Sequence, residues 1–281
     1  MKEKTKLDLK DRKILYQLDK NSRQSNSQIG KKVGLSTEVV NYRIKRLEDK
    51  GIITNYQLLT NLSKLGIITF KIFLSFQHLD NKKFNEILEK LKKNKNIKWV
   101  VSTKGTWDLI LTLETDSLSK LDDLKDEILF YFKGYILNKS ILINTFAETY
   151  NRNFFYNTSQ KISGRTVIDD LEKTNISNIK MKILKKLAEN SRKSVVDIAS
   201  ELKTSARKVN YRIKQMEKSG IIRGYKIALD YNKAGLKFYK LLIYLEQPGP
   251  QRLKELIRYF KSHKNIIHHV KVIGNWDLEP E

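Results

Sequence analysis

The run Asn41-Tyr42-Arg43-Ile44-Lys45 occurs a second time in the sequence, as Asn210-Tyr211-Arg212-Ile213-Lys214. Further segments match at the same offset without a gap: Asn21-Ser22-Arg23 with Asn190-Ser191-Arg192, Gly51-Ile52-Ile53 with Gly220-Ile221-Ile222, and Trp107-Asp108-Leu109 with Trp276-Asp277-Leu278. Each copy is far longer than the unit of a solenoid protein. The chain is therefore predicted to be a tandem of two whole modules, and residues that both copies keep serve as an internal alignment.

Each copy begins with a pattern that predicts three helices and a strand. The third helix of the first copy carries Val40, Ile44 and Leu47 at helical spacing, and a β-like segment follows at residues 52–59. Gly34 precedes this helix and suits a tight turn, whereas Lys203 stands there in the second copy and makes that turn less favourable. Two short helices, a basic third helix and a β wing predict a winged helix-turn-helix.

A second pattern follows, with a period of two residues. Residues 68–76 alternate apolar and polar side chains, which predicts a strand that is buried on one face. The later predicted elements are a helix near 84–91, strands at 98–103 and 107–113, a helix at 118–132 and a strand at 135–145. This βαββαβ order is typical of ferredoxin-like domains.

The predicted fold class is α+β, with two winged helix-turn-helix domains that alternate with two ferredoxin-like domains. The predicted segments are a winged helix at 1–65, a βαββαβ domain at 66–150, a linker at 151–175, a second winged helix at 176–235 and a second βαββαβ domain at 236–281. The second βαββαβ pattern stops after Leu278, so we expect that domain to be truncated. Pro280 between two acidic residues predicts a poor central strand.

The charge of the chain is concentrated in two blocks. The formal net charge is +24, and residues 1–66 carry 15 Lys and Arg against 7 Asp and Glu, whereas residues 67–150 carry 13 against 11. Residues 170–235 carry 16 against 7. Basic blocks of this kind favour binding to a phosphate backbone. Cysteine, a signal peptide and a long apolar run are all absent from the sequence, so we expect a soluble cytoplasmic protein without disulfides.

The string from Asn41 to Glu48, with Lys50-Gly51-Ile52-Ile53 after it, resembles the Lrp/AsnC (feast/famine) transcription regulators. The resemblance implies a winged helix-turn-helix followed by an effector-sensing RAM domain, hence a sequence-specific DNA-binding regulator of transcription. It also implies that Gly105 and Asp108 form a Gly-x-x-Asp loop for an amino acid or another small effector. The tandem arrangement, Lys203 and the shortened second sensor depart from the typical family member.

The third helix of each copy is the candidate recognition helix for double-stranded DNA. Polar residues that both copies keep suit phosphate contacts, and the change from Thr37-Glu38 to Ala206-Arg207 suits base contacts that differ between half-sites. Arg43 and Arg212 flank the apolar stripe, so an ion pair with a carboxylate is an equally good interpretation. The candidate DNA-binding residues are Ser36, Thr37, Glu38, Asn41, Tyr42, Arg43, Lys45, Ser205, Arg207, Asn210, Tyr211, Arg212 and Lys214.

Simpler and different interpretations stay open at this point. The recognition face could be an ordinary solvated surface, and Asp108 could satisfy backbone N–H groups in a hairpin. His268 and His269 are adjacent on a predicted strand and point to opposite faces, which disfavours a metal site.

No catalytic residues and no cofactor are predicted. The alternatives to a regulator are an architectural DNA-binding protein of low specificity and a siroheme-decarboxylase-like enzyme, although residues 67–150 contain only His78 and no Arg. Self-association through the sensors is expected, within one chain or between chains.

Overall fold

The computed structural model of the protein describes residues 7–156 and 164–281. Within these ranges the chain contains two winged helices and a seven-stranded sheet with helices. The predicted α+β class, with winged helix-turn-helix and ferredoxin-like domains, is confirmed.

The first winged helix is built from short helices whose ends are fixed by side-chain caps. Its elements are α1 (Leu9–Lys20), α2 (Asn26–Val33), α3 (Thr37–Asp49) and the wing strand β1 (Ile53–Thr60). Asp8 caps α1 and Ser25 caps α2, each in a reciprocal capping box. Gly34 ends α2 at a φ of 67°, where glycine has no steric penalty. The stripe Val40, Ile44 and Leu47 is buried against α1 and α2.

The second copy repeats this arrangement in the region predicted for it. Its elements are α6 (Asn178–Glu189), α7 (Val195–Glu201), α8 (Ala206–Lys218) and the wing strand β7 (Ile222–Leu229). The turn between α7 and α8 has the same left-handed backbone as the first copy, because Lys203 adopts a φ of 49°. The sequence-based expectation of a strained turn at this position agrees with that geometry.

The first βαββαβ domain, named the first sensor after its predicted role, has the ferredoxin-like strand order. Its elements are β2 (Ile68–Phe76), α4 (Asn81–Leu91), β3 (Ile97–Ser102), β4 (Leu109–Thr115), α5 (Leu118–Tyr131) and β5 (Ile136–Thr149). The strands lie in the order β3-β4-β2-β5, and α4 and α5 cover one face of the sheet. Strand β5 is longer than the predicted 135–145, because its second half pairs with the second copy.

The second sensor adds strands to the same sheet. It contains α9 (Pro250–Ser262), β8 (His268–Ile273) and β9 (Leu278–Pro280), and β8 pairs with β5. Pro280 was expected to make a poor central strand, and Leu278–Pro280 is a three-residue strand at the end of the strand order, where proline is tolerated. The strand forms because the neighbouring backbone groups find partners: Leu241 N–H donates to the Pro280 carbonyl at 3.0 Å, and Glu281 N–H donates to the His268 carbonyl at 2.9 Å.

Strand β2 is buried on both faces, so the prediction of a half-buried strand is wrong. Phe70, Ile72 and Leu74 pack under the helices, as the pattern predicts. The opposite face carries Phe73 and Lys71, which are 0% and 4% exposed. Phe73 packs against Trp276 with ring centroids 4.7 Å apart in an edge-to-face arrangement. The second sensor therefore covers a face that the first copy alone leaves open to solvent.

The segment predicted as a linker is partly ordered. Asn153–Phe155 forms a 3-10 turn, and β6 (Arg165–Ile168) pairs with β5. The Asn61 amide donates to both carboxylate oxygens of Asp169 at 2.9 Å. The expectation of at most local order does not hold for these residues, because they pair with strands and side chains far away in the sequence. The middle of this predicted linker, residues 157–163, lies outside the described residues.

The two copies are related by a local two-fold axis. Wing strands β1 and β7 form an antiparallel two-stranded sheet in which Gln57 pairs with Lys226, its own counterpart in the second copy. Ser22 Oγ lies 2.8 Å from Ser191 Oγ, again a counterpart pair, at a separation of 169 residues. The rings of the counterparts Trp107 and Trp276 lie 6.1 Å apart. Since a residue touches its own counterpart only at a two-fold axis, these three pairs mark its course through wings and sensors.

A buried ion pair joins the two sensors close to this axis. Glu279 is 0% exposed and accepts from Lys71, from Lys240 at 3.1 Å and from Trp276 Nε1 at 3.0 Å. Burial alone would raise the pKa of Glu279, but the two ammonium groups lower it below its usual value. The charge on this carboxylate therefore holds together β2 of one copy and β9 of the other.

Replacing the buried carboxylate should weaken the contact between the two sensors and lower the stability of the protein. The substitution Glu279→Gln removes the direct ion-pair partner of the buried Lys71, so the free energy of unfolding should fall by about 3 kcal/mol in urea titrations. Glu255→Gln is the matched control, since its ion pair with Arg252 is exposed and should change stability by less than about 1 kcal/mol. Equal effects of the two substitutions would contradict a structural role for the Glu279 cluster.

Candidate DNA-binding surface

The recognition helices begin at serine caps and bury one stripe. Ser36 Oγ accepts a hydrogen bond from Val39 N–H at 3.2 Å, and Ser205 Oγ accepts one from Lys208 N–H at 3.3 Å. Both predicted DNA-binding serines therefore already have a structural partner. Their position at a helix N-terminus also places free N–H groups where a phosphate binds favourably.

The outward face of both helices is solvent-exposed. Tyr42 and Tyr211 are 66% and 62% exposed, so this position is similarly open to solvent in both copies. The remaining predicted residues on this exposed face are Thr37, Glu38, Asn41, Lys45, Arg207, Asn210 and Lys214. Most of the predicted set thus lies on one accessible face of α3 or of α8.

The two predicted arginines differ in their surroundings. Arg43 Nη1 lies 2.7 Å from Asp8 Oδ2 and 2.8 Å from Asp11 Oδ1. This is the ion pair that the sequence left open as an alternative to DNA contact. Arg212 is half-buried, and no ion pair between described residues includes it.

Contacts across the local axis hold the two winged helices together. Arg23 Nη1 donates to the Lys193 carbonyl at 3.0 Å, and its guanidinium lies 5.5 Å from the centre of the Tyr225 ring. The counterpart contact is Arg192 over Tyr56 at 5.1 Å. Arg23 and Arg192 match each other in the two sequence copies, but no role was predicted for them. The paired wing strands and the two arginine–tyrosine contacts together fix the distance and angle between the two candidate recognition helices.

The predicted effector loop is largely committed to backbone contacts. Asp108 Oδ2 accepts from Phe76 N–H at 2.8 Å, and in the second copy Asp277 Oδ2 accepts from Leu245 N–H at 2.7 Å. Gly105 has a φ of 143°, and a side chain there would meet nothing within 4 Å. Asp108 thus accepts a backbone hydrogen bond, as its structural interpretation predicts, and Gly105 faces open space.

A cavity of about 1240 Å³ lies beside this loop, between the β3–β4 hairpin, the second wing and residues 238–244. Gly105 lines it and Asp108 does not. Its wall is rich in basic and aromatic side chains: Arg152, Lys226, Lys240, His268, Trp99, Trp107, Tyr231 and Tyr239. This cavity was not predicted from the sequence, because its residues come from separate segments and share no motif.

Two titratable groups of the cavity wall are perturbed. Burial lowers the pKa of Lys226 to about 7, although Asp19 lies 3.6 Å from its ammonium group. Burial also lowers the pKa of His268 to about 4, so this imidazole is neutral at pH 7. Among the described residues no group of three or more His, Cys, Asp or Glu could hold a metal ion. In those same ranges no helix is long and apolar enough to cross a membrane.

Comparisons with known proteins agree with this geometry. The family described as winged helix-turn-helix DNA-binding matches residues 7–54 and 176–223. The transcriptional regulator Ptr1 of Methanocaldococcus jannaschii is 35% identical over 117 residues, which are 41% of this chain and 78% of Ptr1. The regulator LrpC of Bacillus subtilis is 30% identical over 119 residues, which are 42% of this chain and 81% of LrpC. The chain belongs to the Lrp/AsnC family of helix-turn-helix transcriptional regulators.

Among solved structures, the siroheme decarboxylase NirDL aligns over 96% of this chain and 80% of its own, with a TM-score of 0.61 and 13% identity. At this identity the likeness concerns the fold alone. The structure of Bacillus subtilis LrpC aligns over 50% of this chain and 94% of its own, with a TM-score of 0.42 and 26% identity.

Proposed function

We propose that the protein is a sequence-specific DNA-binding transcription regulator of the cytoplasm, in which one chain supplies both halves of the DNA-binding unit. One observation carries this proposal: two matching exposed helix faces, α3 and α8, are related by a local two-fold axis within one chain. A two-fold pair of recognition helices suits two half-sites about one helical turn apart in duplex DNA. The Thr37-Glu38 and Ala206-Arg207 pairs would then contact different bases.

Lys45 and Lys214, which are counterparts in the two copies, allow a test of whether both helices contact DNA. Replacing Lys45 or Lys214 with Ala should weaken binding similarly on all sequences and reduce the salt slope by about one unit each, because each exposed ammonium would contact one phosphate. Fluorescence anisotropy at several salt concentrations measures the slope. Lys82→Ala, on exposed α4, is the control for net charge. If a variant in α3 or α8 binds like the parent at every salt concentration, that helix does not contact DNA.

Selection from random duplex pools separates a regulator from an architectural protein, since both depend on salt. A regulator enriches one motif with a specificity ratio of at least about 10³ over random duplex. Enrichment of no motif would favour the architectural alternative instead.

The paired sensors support a further part of the proposal, that the functional unit is a single chain. Static light scattering over a range of concentrations should give the mass of one chain, because wings and sensors already pair inside it. A species of two or more chains at every concentration would show that these surfaces also pair between chains, and the single-chain unit would be abandoned.

The proposed effector is a small polar molecule such as an amino acid, which would bind in the cavity that Gly105 lines. The exposed Lys104 on the wall offers an ammonium group for a carboxylate, whereas Lys240 and Arg152 already pair with Glu279 and Asp19. Tetrapyrrole decarboxylation is the second candidate function, since His268 and Arg152 share the same cavity in a fold that NirDL also has. Burial keeps His268 neutral at pH 7, which makes it a poor general acid and disfavours this alternative.

Ligand titration distinguishes the two uses of the cavity. Calorimetry with the common amino acids should give saturable heat for at least one of them, and Trp107→Ala should reduce it because Trp107 lines the cavity. Absence of heat with all of them, for folded protein, would favour a purely structural loop. Siroheme is the second probe: a shifted absorbance spectrum followed by loss of carbon dioxide would overturn the regulator in favour of the enzyme.

A further inference from the structure

The two winged helices differ in charge at the junction of the first helix with the recognition helix. In the first copy this junction holds Asp8, Asp11, Arg43 and Arg46, and the closest ion pair joins Arg46 Nη2 to Asp11 Oδ2 at 2.6 Å. The Asp11 side chain is 1% exposed, so its carboxylate has exchanged water for the two guanidinium groups. The four formal charges cancel.

The second copy has no such neutralisation. The counterparts of Asp8 and Asp11 are Ser177 and Lys180, and Gln215 stands in place of Arg46. Of these four counterpart positions only Lys180 and Arg212 are charged, so together they carry a formal charge of +2. A guanidinium without a carboxylate partner keeps its donors for a phosphate, whereas Arg43 has already used a donor on Asp8 and Asp11.

The first turn of each recognition helix adds to this difference. Glu38 is exposed in α3, and Arg207 is exposed at the counterpart position of α8. A carboxylate that faces DNA is repelled by phosphate, and a guanidinium at the same place is attracted. Over the matched segments 7–54 and 176–223, the first has 11 Lys and Arg against 6 Asp and Glu, and the second has 13 against 4.

Resting on the proposed function, we propose that the two winged helices bind DNA unequally: the second supplies most of the phosphate contacts, and the first is a weaker half-site reader. Arg207, Arg212 and Lys180 are the residues that make the second copy dominant. On DNA this predicts a bound complex that is anchored at one half-site and loosely held at the other.

Matched arginine variants of the full chain test this inequality. Arg212→Ala should reduce the salt slope by about 0.9, the value for one lost phosphate contact, whereas Arg43→Ala should leave the slope unchanged. Hydroxyl-radical footprinting of the parent should protect one half-site more strongly, and Arg212→Ala should make the two halves more equal. Equal loss of slope in the two variants, or equal protection of both half-sites by the parent, would overturn the inequality.

Since Arg43→Ala leaves the buried Asp11 with one partner fewer, exposed charge swaps provide a second comparison. Glu38→Arg should raise the affinity and steepen the salt slope, because it gives the first copy the charge of the second. Arg207→Glu should lower both. If neither swap changes binding, the N-terminal turns do not face phosphate and the inequality fails. A parent that shows no salt-dependent binding to any duplex would instead refute the proposed function itself.

Discussion

Antiparallel pairing of the two wing strands sets the positions of the two copies relative to each other. Strands β1 and β7 lie antiparallel with Gln57 opposite Lys226, so the two winged helices meet on the local axis. Tyr56 and Tyr225 then lie where Arg192 and Arg23 can stack on their rings. The same register directs the chain from each wing towards its sensor. Loss of this two-stranded sheet would release both recognition helices from their fixed geometry.

A buried charge cluster connects the wings to the sensors. Asp19 at the end of α1 accepts from the backbone N–H of Arg152 at 2.7 Å and lies 3.6 Å from the Lys226 ammonium group. Arg152 follows β5 of the first sensor, and Lys226 belongs to the second wing. Because an unpaired charge in this interior would cost several kcal/mol, the three elements are strongly favoured to move together. The cluster also borders the cavity, so a ligand bound there would contact groups that belong to both a wing and a sensor.

The parts of the fold that the sequence predicts are those that local chemistry determines. Serine caps, the glycine at the end of α2 and the apolar stripes of α3 and α8 are short-range features, and each element lies within a few residues of its predicted position. Burial of Lys71, the strand at Leu278–Pro280 and the pairing of β6 were not predicted, because each depends on contacts between residues far apart in the sequence. The candidate site follows the same rule. The exposed face of the recognition helices could be read from periodicity, whereas the Arg43 ion pair and the cavity required the tertiary structure.

Symmetry restricts what can stand on a two-fold axis. In a dimer of identical chains, a residue on the axis must meet another copy of itself, so a lysine there faces a lysine. A duplicated gene removes that restriction. Here Lys226 meets Gln57 across the axis. The two copies also differ internally: Trp276 donates its indole N–H to Glu279 of its own copy, whereas Trp107 Nε1 has no partner among the described residues, since Ile110 occupies the counterpart position of Glu279. The tandem chain can therefore place unlike residues such as Gln57 and Lys226 opposite each other on the axis, which a homodimer cannot do, and each half can change without imposing the same change on the other.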